Sequence, residues 1–292
     1  MEDFELTLYD RLNVIKDTIN KYGEDKFFLS FSGGKDSTIL HYLIDMALPN
    51  NNIDRVFVNT GIEYNAISNY VKDMQNKDSR IKIIRPTRPI KQTLEEYGYP
   101  FKSKQHAHNL ATYQRKGELS TSTIKYLGLD GSKCRRYQCP KMLQYQFSDE
   151  FKIKVSEKCC DKLKKEPIAR YQKESGRIAN ITGMRRAEMG FRNNISCVVT
   201  DKDNKVIKFN PLSVVSDEWC DWFIEKYNIK LCELYYPPFN FKRTGCKGCP
   251  FALGLKEELD LLQKHLPNEY KQCEIIWKPI YDEYRRIGFR LK

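Results

Sequence analysis

The stretch Phe28-Leu-Ser-Phe-Ser-Gly-Gly-Lys-Asp-Ser-Thr38 constrains the fold of this chain more than any other. Lys26 to Phe31 is a short apolar, aromatic-rich run of the kind that forms a buried strand. From Thr38 to Leu48, apolar residues recur at helical spacing: Ile39, Leu40, Leu43, Ile44 and Met46. Between the two stands Ser32-Gly-Gly-Lys-Asp-Ser37. A strand, a glycine turn and a helix in this order place backbone N–H groups and a helix N-terminus around a phosphate. Gly33 and Gly34 admit positive φ and close approach of an anion. Lys35 adds a point charge, and the hydroxyls of Ser32, Ser37 and Thr38 add donors. The spacing is neither G-x-x-x-x-G-K-[ST] nor G-x-G-x-x-G, which removes the two commonest phosphate loops. An ordinary glycine turn would account for a bare Gly-Gly-Lys, but not for six matching residues between a strand and a helix.

Ser-Gly-Gly-x-Asp-Ser after a strand resembles the PP-loop of the ATP pyrophosphatase superfamily. The resemblance implies cleavage of ATP between its α and β phosphates, usually to adenylate a substrate.

Length and composition are compatible with this. The 292 residues suit one large α/β domain or a domain with an appendage. We expect a PP-loop α/β domain over 1–252, with a basic insertion at about 97–150, and a helical extension over 253–292. With 40% hydrophobic residues a real core can form, while 30% charged residues and a mean hydropathy of -0.64 point to solubility. No apolar run approaches the ~18 residues that span a bilayer, and Met1-Glu-Asp-Phe-Glu lacks signal-peptide features. The cytoplasm, without a membrane partner, is the expectation. A net charge of +12 favours anionic partners without choosing among them.

Taken in order, Phe4 to Tyr22 reads as an amphipathic helix. The phosphate-loop strand and helix follow, then a strand at Arg55–Asn59, a helix at Glu63–Met74 and a strand at Ile81–Ile84. Strands alternating with helices indicate a Rossmann-like parallel sheet with helices on both faces. Ligands of such a sheet sit at the carboxyl ends of its strands, so Ser32–Ser37 and Asn59–Glu63 are expected to face one crevice. The polar, basic segment from Tyr97 to about Glu150 reads as an insertion near the site mouth. His106 and His108 within it read as an exposed polar pair. A helix at Val155–Lys165, strands at Ile178–Thr182 and Val206–Phe209, and a helix capped by Ser216 follow. The remainder is helical, with Leu255, Leu259, Leu262 and Leu266 on one face.

Ten cysteines in a reducing compartment suggest metal or redox chemistry. Cys246-x-x-Cys249, flanked by glycines, lets two thiolates converge, and two further ligands complete a four-sulfur site. Cys159-Cys160 can supply them. Adjacent helical side chains diverge by ~100°, which suits a multi-iron cluster better than a single zinc ion. Cys134 and Cys139 form a looser, rival pair. Cys197, Cys220, Cys232 and Cys273 read as small buried hydrophobes.

At this point the resemblance extends to the phosphoadenosine phosphosulfate (PAPS) reductase family, the sulfonucleotide-reductase branch of the PP-loop superfamily. It is carried by Ser32–Ser37, Asn59-Thr60-Gly61 with Glu63, Cys159-Cys160 through Pro167, Thr182-Gly183-Met-Arg185-Arg186, Asn210-Pro-Leu212, and Gly245-Cys-Lys-Gly-Cys-Pro-Phe251. The resemblance implies nucleotide contacts at Ser32, Gly33, Gly34, Lys35, Asp36, Ser37, Asn59, Thr60, Gly61, Glu63 and Gly183. It implies arginines at the nucleotide's anionic end at Arg185 and Arg186, and a [4Fe–4S] cluster on Cys159, Cys160, Cys246 and Cys249.

Two departures refine the expectation. The Glu-Cys-Gly-Leu-His segment that supplies the nucleophile in sulfonucleotide reductases is missing, and Cys273 is a poor substitute. The phosphate loop, degenerate in those reductases, is intact. Both favour an ATP-dependent, pyrophosphate-releasing, adenylating iron–sulfur enzyme in sulfur transfer, with Mg²⁺ held by ATP and Asp36. Lys35, Asp36, Arg185 and Arg186 are its expected catalytic residues. A sulfur-donor or electron-donor protein and a nucleic-acid acceptor are its expected partners. The alternatives are a PAPS or adenylylsulfate reductase forming sulfite, with an adenylyl sulfonucleotide in place of ATP, and a zinc-containing nucleic-acid-binding module using the basic run from Arg115 to Arg136.

Overall fold

The computed structural model describes residues 3–131, 138–188 and 194–292. Cys134 and the basic run at its side lie outside the described residues. The chain divides into two compact units that interleave along the sequence. One comprises Met1–Asn59, Asn65–Arg85 and Pro167–Thr244; the other comprises Thr60–Tyr64, Pro86–Glu166 and Gly245–Lys292.

The first unit holds the sheet. Its strands are β1 (Phe27–Ser30), β2 (Asp54–Val58), β3 (Ile81–Ile84), β4 (Ala179–Ile181), β5 (Val198–Thr200) and β6 (Val206–Phe209), in the spatial order β3-β2-β1-β4-β6-β5. All neighbours pair in parallel except β5, which runs antiparallel to β6 at the edge. Phe27, Phe28 and Leu29 are fully buried, as expected of a central parallel strand covered on both faces. The order changes direction at β1, whose neighbours are β2 on one side and β4 on the other. Such a switch point opens a crevice beyond the carboxyl ends of the strands.

Helices α1 (Asp3–Tyr22), α2 (Lys35–Ala47), α3 (Asn65–Gln75) and α8 (Asp217–Lys226) belong to this unit. Helix α1 packs on α2, α2 on β1 and α8, and α3 on β3. Ser216 caps α8 as expected, its hydroxyl accepting from Trp219 N at 3.2 Å. Arg55, fully buried, is satisfied by Asp45, Asn51 and the Ile53 carbonyl. With Arg80 it neutralises the carboxylates of Asp45 and Asp78 beside His41.

The second unit contains α4 (Ile90–Tyr97), α5 (Lys104–Lys116), α6 (Thr121–Leu127) and the helices α9 (Leu255–His265), α10 (Pro267–Ile276) and α11 (Lys278–Arg286). The basic insertion is therefore helical, with α5 packed on α6 and Tyr99 bridging to Val155. Helix α7 (Glu166–Ser175) belongs to the first unit from Pro167 onward. The expected helix at Val155–Lys165 is shorter. It begins at Cys159 and passes through a π-helical turn, Asp161–Lys165, before α7 continues it.

The expected exposed histidine pair holds for His108, which bonds Glu157 at 2.8 Å, and fails for His106. The His106 ring is fully buried, with Nδ1 3.0 Å from the Tyr126 hydroxyl and Nε2 2.7 Å from Gln146 Oε1. Burial holds it down to a pKa of about 4. Cys139 Sγ lies 3.9 Å from the same ring. No helix among the described residues is long and apolar enough to cross a membrane.

Candidate nucleotide site and cysteine centre

The phosphate-loop motif sits at the carboxyl end of β1, and α2 starts inside it, at Lys35. Gly33 takes φ +71°, where a Cβ would lie 2.9 Å from Val71 Cγ2. Gly34 differs from the expectation. It is extended at φ -86°, caps α2, and is closely approached: a Cβ there would lie 3.1 Å from the Tyr235 hydroxyl and 3.3 Å from that of Thr244. Ser37 Oγ accepts from Ser32 N at 3.1 Å and donates to Gly34 O at 3.0 Å, which ties the turn together. The Lys35 backbone N–H donates to the Tyr235 hydroxyl at 3.0 Å. A neutral hydroxyl thus stands at the helix N-terminus, the place where an anion is stabilised.

Around this loop lies a cavity of about 660 Å³, lined by Lys35, Asp36, Arg185, Asp217, Tyr235 and Arg243, among others. Lys35 Nζ donates to Asp221 Oδ1 at 3.0 Å. Burial works against its charge, but the Asp221 carboxylate outweighs burial and raises the pKa. Burial lifts the Asp36 carboxyl above the ordinary carboxylate range, against the pull of Arg185. Arg185 is buried, with Nε 3.1 Å from Asp36 Oδ1 and Nη2 2.6 Å from Asp217 Oδ1. Its Nη1 is buried without a partner among the described residues. A buried cationic donor left unsatisfied costs roughly 1–3 kcal/mol or more, so this atom has an unmet demand for an acceptor.

Gly183 approaches the first turn of α2 so closely that a Cβ would lie 2.7 Å from Asp36 Cβ. Asn59 follows β2, its N–H bonded to Ile84 O at 2.9 Å. Arg186 is exposed and turned elsewhere, its Nε donating to Ile195 O at 3.0 Å. The motif reading missed Tyr235, Asp217 and Asp221. The last two stand four residues apart on α8, a spacing that puts them on one helix face.

In the second unit, Thr60-Gly-Ile-Glu63 forms a closed turn. Glu63 accepts from Thr60 N at 2.9 Å and from its hydroxyl at 2.7 Å. Ile62 O accepts from Lys247 N at 3.0 Å, which joins this turn to the Cys246–Cys249 loop.

All four expected cysteine ligands belong to this unit and stand close enough to perturb one another. Cys159 donates to Cys160, so the Cys160 thiol is held down, helped by Lys104 and Lys164, while that of Cys159 is held up. Burial raises the Cys246 thiol against the opposing charge of Lys164, whose ammonium donates to the sulfur. Burial pushes Cys249 up to about 12. Lys164 was not singled out in the sequence, although its place four residues after Cys160 puts it on the same helix face.

The helical C-terminus braces the loop. Gly248, at φ +60°, leaves no room for a side chain: a Cβ would be 2.8 Å from Cys273 Sγ. Its N–H donates to Glu258 Oε1 at 2.7 Å, and its carbonyl accepts from Tyr281. Lys247 is buried, paired with Glu269 at 3.0 Å and Gln272 at 2.7 Å, and its carbonyl accepts from Trp277 Nε1 at 3.1 Å. Tyr284 bonds Pro250 O at 2.9 Å. Cys220, Cys232 and Cys273 are buried, as small hydrophobes would be; Cys197 is half-buried.

No curated protein sequence matches the chain. Among solved structures it is similar to PAPS reductase from Candida auris in a phosphate complex, at 15% identity over 80% of this chain and 93% of that one, with a TM-score of 0.43. It is also similar to Candida glabrata FMN adenylyltransferase with FAD and inorganic pyrophosphate, at 13% identity over 80% of this chain and 59% of that one, TM-score 0.47. A third is the NH3-dependent NAD synthetase of Campylobacter jejuni with nitrate, at 13% identity over 99% and 97%, TM-score 0.43. The family model for the phosphoadenosine phosphosulfate reductase domain matches residues 26–141 and 135–252. That match takes in the phosphate loop and both cysteine pairs, and the chain belongs to the phosphoadenosine phosphosulfate reductase domain family and, with it, to the PP-loop enzymes.

Proposed function

We propose that this enzyme cleaves ATP to AMP and pyrophosphate, adenylating an acceptor in sulfur transfer. The buried Nη1 of Arg185, without a partner among the described residues on a side chain that lines the cavity of Lys35 and Asp36, carries the reading. An acceptor oxygen attacks the α-phosphorus, the bond to the β-phosphate oxygen breaks, and pyrophosphate leaves with that electron pair. Arg185 Nη1 would hold an oxygen of the reacting phosphoryl group as its charge develops. Lys35 would leave Asp221 for the departing diphosphate, and the Tyr235 hydroxyl would yield the Lys35 N–H to a phosphate oxygen. Asp36 would offer Mg²⁺ its carboxylate. The nucleotide's remaining contacts in the first unit would come from Asn59 and Gly183.

Cys159, Cys160, Cys246 and Cys249 would hold a [4Fe–4S] cluster. Four thiols gathered in one unit are the donor set that such clusters take, and the neighbouring Lys164 ammonium would offset part of the anionic charge of the ligated group. A bound cluster supplies electrons or an iron site for a sulfur species.

The second reading, sulfonucleotide reduction, needs a cysteine that can attack sulfur. Cys273 is fully buried beneath Gly248 and its thiol is pushed up to about 12. Both features count against it as a nucleophile, and thus favour ATP cleavage. The test is anaerobic purification, metal analysis and visible absorption, followed by assays with Mg²⁺-ATP and with PAPS. Pyrophosphate from ATP without sulfite from PAPS supports the proposal, whereas sulfite without pyrophosphate overturns it.

A further inference from the structure

One concavity of the second unit has no part in the chemistry above. It is an open groove of about 870 Å³, walled by the end of α4, by α5 and by the segment 148–158. Its lining includes Tyr97, Tyr113, Arg115, Phe151, Lys152 and Lys158. Arg115, Lys152 and Lys158 are exposed, and none has a carboxylate partner among the described residues. Lys154 also lines the groove, its ammonium bonded to the Glu96 carbonyl. Two acids, Glu96 and Asp149, share the lining, and Asp149 accepts from the Tyr113 hydroxyl at 3.4 Å. The balance is positive, as in the surrounding sequence. Residues 86–166 carry 17 Lys and Arg against 9 Asp and Glu, most of the chain's surplus of +12.

Unpaired cations along an open groove with half-buried aromatic rings combine two kinds of complementarity. The cations suit a polyphosphate backbone, and the rings suit unstacked bases; together they are the features that hold a single strand. A duplex hides its base faces and would gain nothing from the rings. We propose that this groove binds single-stranded nucleic acid. The proposal rests on the adenylation reading in one respect, that the bound strand is the acceptor. The groove's wall at Val155–Lys158 runs directly into Cys159 and Cys160, so a strand held there lies along the chain that leads to the cysteine centre.

The experiment is fluorescence anisotropy with the full chain and labelled oligonucleotides of about 12 nucleotides, within the usual single-strand site sizes. The probes are single-stranded RNA and DNA and the corresponding duplex, with heparin as a polyanion control. Arg115→Glu/Lys152→Glu should weaken single-strand affinity at least about tenfold and reduce the log–log salt slope by about 1.4, two phosphates' worth. Tyr113→Leu should weaken single-strand binding and leave the salt slope unchanged, because stacking releases no counterions. Circular dichroism confirms that each variant is folded, and Arg115→Ala/Lys152→Ala gives a milder form of the charge test. Equal affinity for duplex, heparin and single strand with no effect of Tyr113→Leu overturns the proposal, as does unchanged binding by either charge variant, or no binding at all. Failure here with pyrophosphate release intact removes the groove alone. Strand binding without pyrophosphate release removes the adenylation reading and leaves the groove.

Discussion

Arg185 binds Asp36 through Nε and Asp217 through Nη2, and leaves Nη1 buried with no acceptor among the described residues. One guanidinium thereby joins the first turn of α2 to the first turn of α8 while keeping a donor in reserve. Arg185→Ala should cost about 2 kcal/mol of stability by stranding the half-buried Asp36 carboxylate, besides abolishing turnover. Urea unfolding checks the first effect. In Arg185→Ala/Asp36→Asn, stability should recover in part while activity stays lost; a double variant no more stable than the single one counts against the pair.

Lys35→Ala should weaken ATP binding by about 1.5–3 kcal/mol, the range for a charge-assisted contact. Its partner Asp221 is mostly exposed, so the fold should hold. Calorimetric titration with ATP and thermal melting separate the two effects. A variant that melts early yet binds ATP normally would move Lys35 from ligand contact to scaffold.

Cys159→Ser, Cys160→Ser, Cys246→Ser and Cys249→Ser should each lose bound iron, and Cys220→Ser should keep it. Iron analysis after anaerobic purification reads this directly. Full iron in Cys246→Ser would place the centre elsewhere.

Acid should destabilise the protein through His106. Its folded pKa is about 4 against 6.5 for the ordinary side chain. Between those values the unfolded chain binds a proton that the folded chain refuses, so stability is lost as pH falls from 6.5 toward 4. The full window is worth about 3 kcal/mol. His106→Gln should show a shallower fall over that range when unfolding free energies at pH 7 and pH 4.5 are compared with the unmodified protein; an identical fall would mean that His106 does not resist protonation.

The parallel sheet and the phosphate loop were legible because β1 to β3 are short runs rich in apolar residues, separated by helical spacing, and because six loop residues stand in a fixed pattern. Strand β5 was not, since Val198–Thr200 is a three-residue edge whose pairing with β6 depends on tertiary contact. His106 reads as polar in sequence, and only the fold supplies the Tyr126 and Gln146 partners that let it be buried. Tyr235 reaches the Lys35 amide across 200 residues, a separation at which local pattern carries no information. The role of the C-terminal helices was hidden for the same reason: Leu255, Leu259 and Leu262 announce a helix, but nothing in their spacing announces Glu258 beneath Gly248.

That bracing also sets an order of events during synthesis. Residue 248 is held in its left-handed conformation by Glu258, Cys273 and Tyr281, and residue 250 by Tyr284. Cys246 and Cys249 leave the ribosome well before those supports exist. The loop therefore lacks these supports until the chain through Tyr284 has been released and packed, and an ion or cluster taken before then would meet a loop braced from outside by the Ile62 carbonyl.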